Sequence, residues 1–192
     1  GPCFQAWWGM NNLEGWGGPN PDWWYERQEQ LCKFILGRMR ELGMEPVLPG
    51  YGNILPSNAA EKMGVNALDQ GNWCSGFRRP AFLMPTDKRY AEIAQLYYKN
   101  LEKVMGKAKY YSMDPFHEGG RTKGVNLKEA YYTMYAEMQK HSPESKWVIQ
   151  SWGDNPRKEA LDTIPKGGFV VLDLYADGLS RWEKNGFDGH EF

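Results

Sequence analysis

Phe169-Val170-Val171-Leu172 is an unbroken apolar run, led by the turn residues Pro165-Lys166-Gly167-Gly168 and closed by Asp173-Leu174. It is far too short to cross a bilayer, and it lacks the polar–apolar alternation of a strand with one wet face. The run therefore predicts a strand covered on both sides, the usual state of parallel strands flanked by helices. Shorter apolar segments at 45–50, 109–113 and 147–150 repeat the theme.

Helical spacing fills the intervals. Trp24, Leu31, Ile35, Met39 and Leu42 recur along 22–42, with Asp22 as a cap and Gly43 as the stop. Tyr90, Ile93, Ala94, Tyr97, Leu101 and Val104 line a helix that starts at Thr86 or Asp87. Leu127, Ala130, Tyr131, Met134, Tyr135 and Met138 line another, opened by an Asn126/Glu129 capping box. A shorter helix is predicted over 156–164. Residues 1–21 read as a Gly/Pro-rich loop. The stretch at about 51–85 is a long, irregular loop in which 80–85 is either a lid strand or packed coil.

Polar and aromatic residues follow every strand: Tyr51 and Asn53, then Asp114 to Glu118, Trp152 to Asn155, and Asp173 to Asp177. The segments leading into the strands are plain. Chemistry gathered at the C-terminal strand ends is the mark of a (β/α) barrel. An open doubly wound sheet competes, but no Gly-x-Gly-x-x-Gly follows a strand. The fold expected is α/β, a partial (β/α)8 TIM barrel of about four β/α units. A closed barrel needs eight, so residues 1–192 are read as a fragment of one larger catalytic domain. The remainder of that domain is the first partner expected.

A net charge of −1 argues against nucleic acid as a partner. No apolar run is long enough for a membrane span, and no signal peptide is recognisable at Gly1-Pro2-Cys3-Phe4. Cys3, Cys32 and Cys74 form neither a metal knuckle nor a disulfide framework. Nothing in the sequence calls for a metal or organic cofactor.

The aromatic content of 15% is unusual because much of it sits outside the helices and strands. Trp7-Trp8-Gly9-Met10-Asn11-Asn12, Gly15-Trp16-Gly17-Gly18, Gly71-Asn72-Trp73 and Ser151-Trp152-Gly153-Asp154-Asn155 mix flat rings with short polar side chains. That mixture suits a sugar, whose C–H face stacks on rings while Asn and Asp take the hydroxyls. Glu118 closes Tyr110-Tyr111-Ser112-Met113-Asp114-Pro115-Phe116-His117-Glu118, where a strand delivers a carboxyl to a cleft. It reads as a proton donor or base there, or as a solvated loop acid.

Gly1-Pro2-x-Phe4-x-Ala6-Trp7, Met10-x-Asn12-Leu13-x-Gly15-Trp16-x-Gly18-Pro19, the 38–50 segment Arg38-Met39-Arg40-Glu41-Leu42-Gly43-Met44-x-Pro46-Val47-Leu48-Pro49-Gly50, Asp114-x-Phe116-x-Glu118 and Val171-Leu172-Asp173-Leu174 together resemble the family 89 glycoside hydrolases, the α-N-acetylglucosaminidases. The likeness keeps its order nearly end to end and corresponds to the central part of that family's barrel. It implies a retaining exo-hydrolase acting on glycans that end in α-linked N-acetylglucosamine, with Glu118 as general acid/base. The family's Asn before this Glu is His117 here, still able to donate a hydrogen bond to the substrate. Substrate-lining tryptophans correspond to Trp16, Trp73 and Trp152, with Asn12, Asn155 and Tyr175 as further sugar contacts. The nucleophile is expected beyond Phe192; Glu191 follows the fourth strand too closely to match it. The fragment by itself is expected to be inactive or nearly so. Its setting would be secreted or periplasmic, or lysosomal in an animal. A non-catalytic sugar-binding module and an inactive scaffold are the competing readings.

Overall fold

The computed structural model describes residues 20–72, 76–116, 120–175, 178 and 180–192. Helix α1 (Asp22–Glu41) leads to β1 (Val47–Pro49), then β2 (Ile54–Leu55), α2 (Ala59–Met63), β3 (Ala67–Leu68) and β4 (Ala81–Leu83). The chain continues through α3 (Tyr90–Met105), β5 (Tyr110–Ser112), α4 (Leu127–His141), β6 (Lys146–Ser151), α5 (Lys158–Thr163), β7 (Phe169–Asp173) and α6 (Trp182–Asn185). Strands β1, β5, β6 and β7 form one parallel sheet in that spatial order. Each strand lies beside its predecessor, with a helix carrying the chain back between them. This is part of a (β/α)8 barrel wall, and its four strands are the four apolar segments of the sequence.

The pairing register sorts the side chains into two faces. Tyr111 pairs with Trp147, Trp147 with Phe169, and Ile149 with Val171. All five are essentially inaccessible. Trp147 packs against Tyr131 of α4 and edge-on to Phe169, so this face looks toward the helices. On the opposite face Val148 pairs with Val170 and Gln150 with Leu172. Leu172 is 46% exposed and Val170 half-buried. Among the described residues the helix face of β7 is covered, while on the opposite face Leu172 stays exposed. An unalternating apolar run reports a strand suited to two dry faces, whichever chain segment supplies the second.

The stretch at 51–85, expected to be an irregular loop, holds a second, antiparallel sheet in the order β2-β4-β3. Its central strand β4 buries Ala81, Phe82 and Leu83 completely. Of the two readings of 80–85, the strand is the one that forms, and it is buried in this sheet. Asn53 ties this sheet to the barrel: its Nδ2 donates to the Leu83 carbonyl at 3.0 Å, and its Oδ1 accepts from Tyr90 Oη at 2.8 Å. Asn53 is fully buried at φ +64, a backbone state that Asn tolerates better than most residues.

Two further expectations change. Pro21, not Asp22, occupies the cap of α1, and Asp22 is the first helical residue. The residue of α1 that reaches the core is Leu36, whereas Trp24, Leu31, Ile35 and Leu42 are exposed. The apolar stripe exists, but α1 packs on α3 along a neighbouring line, through Leu36 with Cys32 and Met39 partly buried. Asn126 caps α4 as expected, its Oδ1 accepting from Glu129 N at 3.3 Å.

Candidate functional site at the strand ends

The C-terminal ends of β1, β5, β6 and β7 lie side by side, since the four strands are parallel neighbours. Gly50 lets two of them approach: a Cβ there would lie 2.5 Å from Met113 Cγ. Met113 itself is fully buried, and its carbonyl accepts from Trp147 Nε1 at 2.7 Å.

Asp114 comes next, only 4% exposed. Its Oδ1 accepts from the backbone N–H of Gln150 and its Oδ2 from Gln150 Nε2, both at 2.9 Å. Burial pushes its carboxyl up to about 6, against the opposing pull of those two donors. Pro115 and Phe116 then turn the chain, Phe116 at φ +57 with its ring 4.4 Å from that of Phe82 in β4. Where the turn returns, Gly120 is packed so tightly that a Cβ would lie 2.8 Å from Phe116 Cα. Arg121 is fastened to the inserted sheet by an ion pair to Asp69 at 3.0 Å and by Gln70 Nε2, which donates to its carbonyl at 3.1 Å.

Trp152 and Tyr175, predicted as sugar contacts, are brought together. Their rings stack with centroids 5.4 Å apart and planes 6° from parallel. The Arg181 guanidinium covers Tyr175 at 4.5 Å. Trp152 remains 39% exposed, so the three groups form a short stack linking the loops after β6 and β7. Arg181 is steadied from both sides: Nη1 donates to the Asn155 carbonyl at 3.1 Å, and its backbone N–H donates to Asp173 Oδ2 at 2.7 Å. Partial burial works to raise the Asp173 carboxyl, but N–H donors from Arg181, Trp182 and Tyr175 outweigh it and hold the group below its ordinary value.

Asn155, also predicted to meet sugar, is placed differently. It is 2% exposed, and its Nδ2 donates to the Pro115 carbonyl at 3.3 Å. That amide nitrogen braces the chain after β5, while the Asn155 Oδ1 is buried with no hydrogen-bond partner among the described residues. His117, Glu118, Trp16, Trp73 and Asn12 lie outside the described residues. Asp114, Gln150 and Arg181 were not singled out as site residues from sequence. Asp114 had a signal, a carboxyl directly after an apolar strand, but its partner is 36 residues away. Arg181 had none.

Glu191 belongs to the other end of the sheet. Its carbonyl accepts from Val171 N at 2.8 Å, and it bridges in parallel with Val170 near the start of β7. Its carboxylate pairs with Lys146, the first residue of β6. Among the described residues no group of three or more His, Cys, Asp or Glu is placed to hold a metal ion.

The sequence profile of the α-N-acetylglucosaminidase (NAGLU) tim-barrel domain matches residues 1–192. Human α-N-acetylglucosaminidase is 30% identical over 209 residues, covering all of this chain and 28% of the human protein. A family 89 glycoside hydrolase from Clostridium perfringens, solved in complex with 2-acetamido-1,2-dideoxynojirmycin, superposes with a TM-score of 0.87 at 34% identity. That match covers 93% of this chain and 21% of the bacterial one. A form of the same enzyme carrying two Glu-to-Gln substitutions, in complex with its substrate GlcNAc-α-1,4-galactose, matches with the same TM-score at 33% identity. The chain therefore spans between a fifth and a third of the length of these relatives.

Proposed function

Since this chain belongs to the α-N-acetylglucosaminidase family and is a glycoside hydrolase by ancestry, we propose that it supplies the acid/base strand end and part of the sugar-binding wall of an enzyme that removes terminal α-linked N-acetylglucosamine from glycans. Glu118 is the general acid/base in this reading. It follows Asp114 by four residues in the sequence, and Asp114 stands at the exit of β5. The observation that carries the reading is that residues 114–115, at the exit of β5, are bonded to the end of β6 and the loop after it, which presents a half-exposed, stacked tryptophan, Trp152.

Trp152 offers a ring face to the C–H face of a sugar, its other face being taken by Tyr175. Trp16 and Trp73 complete the proposed wall, with Asn12 and His117 donating to hydroxyl or acetamido groups. Glu118 protonates the glycosidic oxygen as the C1–O bond breaks, while a second carboxylate attacks C1. Glu118 then takes the proton of the water that releases the sugar. A retaining enzyme needs that second carboxylate about 5–5.5 Å from the first. It is not Glu191, which sits at the opposite end of the strands. The chemistry fits a secreted or periplasmic enzyme, or a lysosomal one in an animal.

Glu118→Gln in the full-length enzyme tests the assignment. kcat/KM on an N-acetylglucosaminide with a poor, unactivated leaving group should fall about 10²–10⁴-fold. A 2,4-dinitrophenyl leaving group needs little protonation, so kcat/KM for that substrate should fall far less. Full retention on the unactivated substrate would remove Glu118 from the role.

A further inference from the structure

Three consecutive residues at the exit of β5 are each held by the neighbouring strand or the loop that follows it. Trp147 Nε1 holds the Met113 carbonyl at 2.7 Å, Gln150 holds both carboxyl oxygens of Asp114 at 2.9 Å, and Asn155 Nδ2 holds the Pro115 carbonyl at 3.3 Å. The middle contact is the costly one. Asp114 is 4% exposed and has no Lys, Arg or His ion pair among the described residues. A buried carboxylate without a cation is usually worse for stability than an apolar side chain of similar size. Its geometry shows what the cost obtains: one carboxylate grips both the backbone and the side chain of a single residue, which fixes the direction in which the chain leaves β5. Gly120 packs against Phe116, and Arg121 is held by Gln70 and Asp69.

We infer that Asp114 is a positioning residue for the acid/base, fixing through Gln150 the backbone at the exit of β5, four residues before Glu118 in the sequence. This rests on the reading of Glu118 given above. Asp114 does not touch substrate in this scheme; both its oxygens are engaged by Gln150. Gln150 lies on the sheet face opposite the helices, paired with Leu172, so the clamp sits on the inner wall of the barrel and directly beneath the loops that carry the sugar contacts.

The test is a comparison of leaving groups in the full-length enzyme. Asp114→Ala should lower kcat/KM about 10²-fold on an unactivated N-acetylglucosaminide, the order expected when a proton donor is displaced by about 1 Å. On the 2,4-dinitrophenyl substrate, where proton donation matters little, the loss should be small. Asp114→Asn keeps an acceptor for the Gln150 N–H and should recover most of the rate. Gln150→Met retains the backbone contact and removes the second, giving a smaller loss with the same dependence on leaving group; it carries the test if the Ala variant does not fold. An equal loss on both substrates, or no loss on either, would overturn the inference in a variant with a normal thermal melt. Glu118→Gln assayed alongside separates the two ideas. If it alone shows the leaving-group signature, only the positioning role falls; if it shows none, the acid/base reading falls and the positioning role with it.

Discussion

At the level of single residues, Asp114 gives the sharpest pH-dependent expectation. Its carboxyl has an ordinary value of 3.8 and is pushed to about 6 by burial. The folded state therefore holds the proton more tightly than the unfolded one, and that contribution to stability is complete below about pH 4. It is lost as the pH rises to about 6, a change on the order of 3 kcal/mol. Asp114→Asn carries no such ionisation. Its melting temperature relative to the parent should climb between pH 4 and pH 7, measured by calorimetry on the full-length protein. A difference that stays flat across that window would show that the carboxyl is not penalised. The same residue shows where sequence reading stops. A carboxyl after an apolar strand is visible in the sequence, but its function depends on Gln150, and no local pattern records that contact. Asn155 is a related case: its type suggests a polar contact, but no local pattern records that its Nδ2 reaches the Pro115 carbonyl 40 residues away.

At the level of elements, legibility followed length and period. Helices α3 and α4 show their core faces in the sequence because Tyr90, Ile93, Ala94 and Leu101, or Ala130, Tyr131, Met134 and Met138, recur every three or four positions and are all buried. The Asn126 cap was legible for a local reason too, a side chain three residues from the N–H it accepts. Asn126→Ala should lower stability by about 1 kcal/mol, measurable as a fall in the denaturation midpoint without a change of slope. Strands β2 and β3 have only two residues each and carry no period; their pairing with β4 is a tertiary fact. Helix α1 had period but no address. Its stripe is real, yet the buried line runs through Leu36, because the position of α3 decides which side is covered.

At the level of the whole molecule, the parallel sheet gives the chain two unlike ends. Asp114, Trp152, Asn155 and Tyr175 follow strands, whereas Lys146 and Glu191 meet at the strand starts. Glu191→Gln in the full-length enzyme should accordingly leave kcat/KM unchanged on both kinds of leaving group; a large loss would contradict the polarity described here. The ion pair it removes is partly exposed, with side chains 30% and 51% accessible, and pairs of that kind contribute about 0–1 kcal/mol. The spatial order of the sheet is also the order of synthesis, and Glu191 makes an isolated parallel bridge to the outer edge of β7. Each β/α unit leaving a ribosome thus meets a docking edge already made, although Val47 pairs with Tyr110, Tyr110 with Lys146 and Trp147 with Phe169 across long crossovers. Vectorial assembly of this kind supplies a template for parallel pairings whose loop-closure entropy would otherwise make them slow to form, and the growing edge at the nascent end has to avoid mispairing.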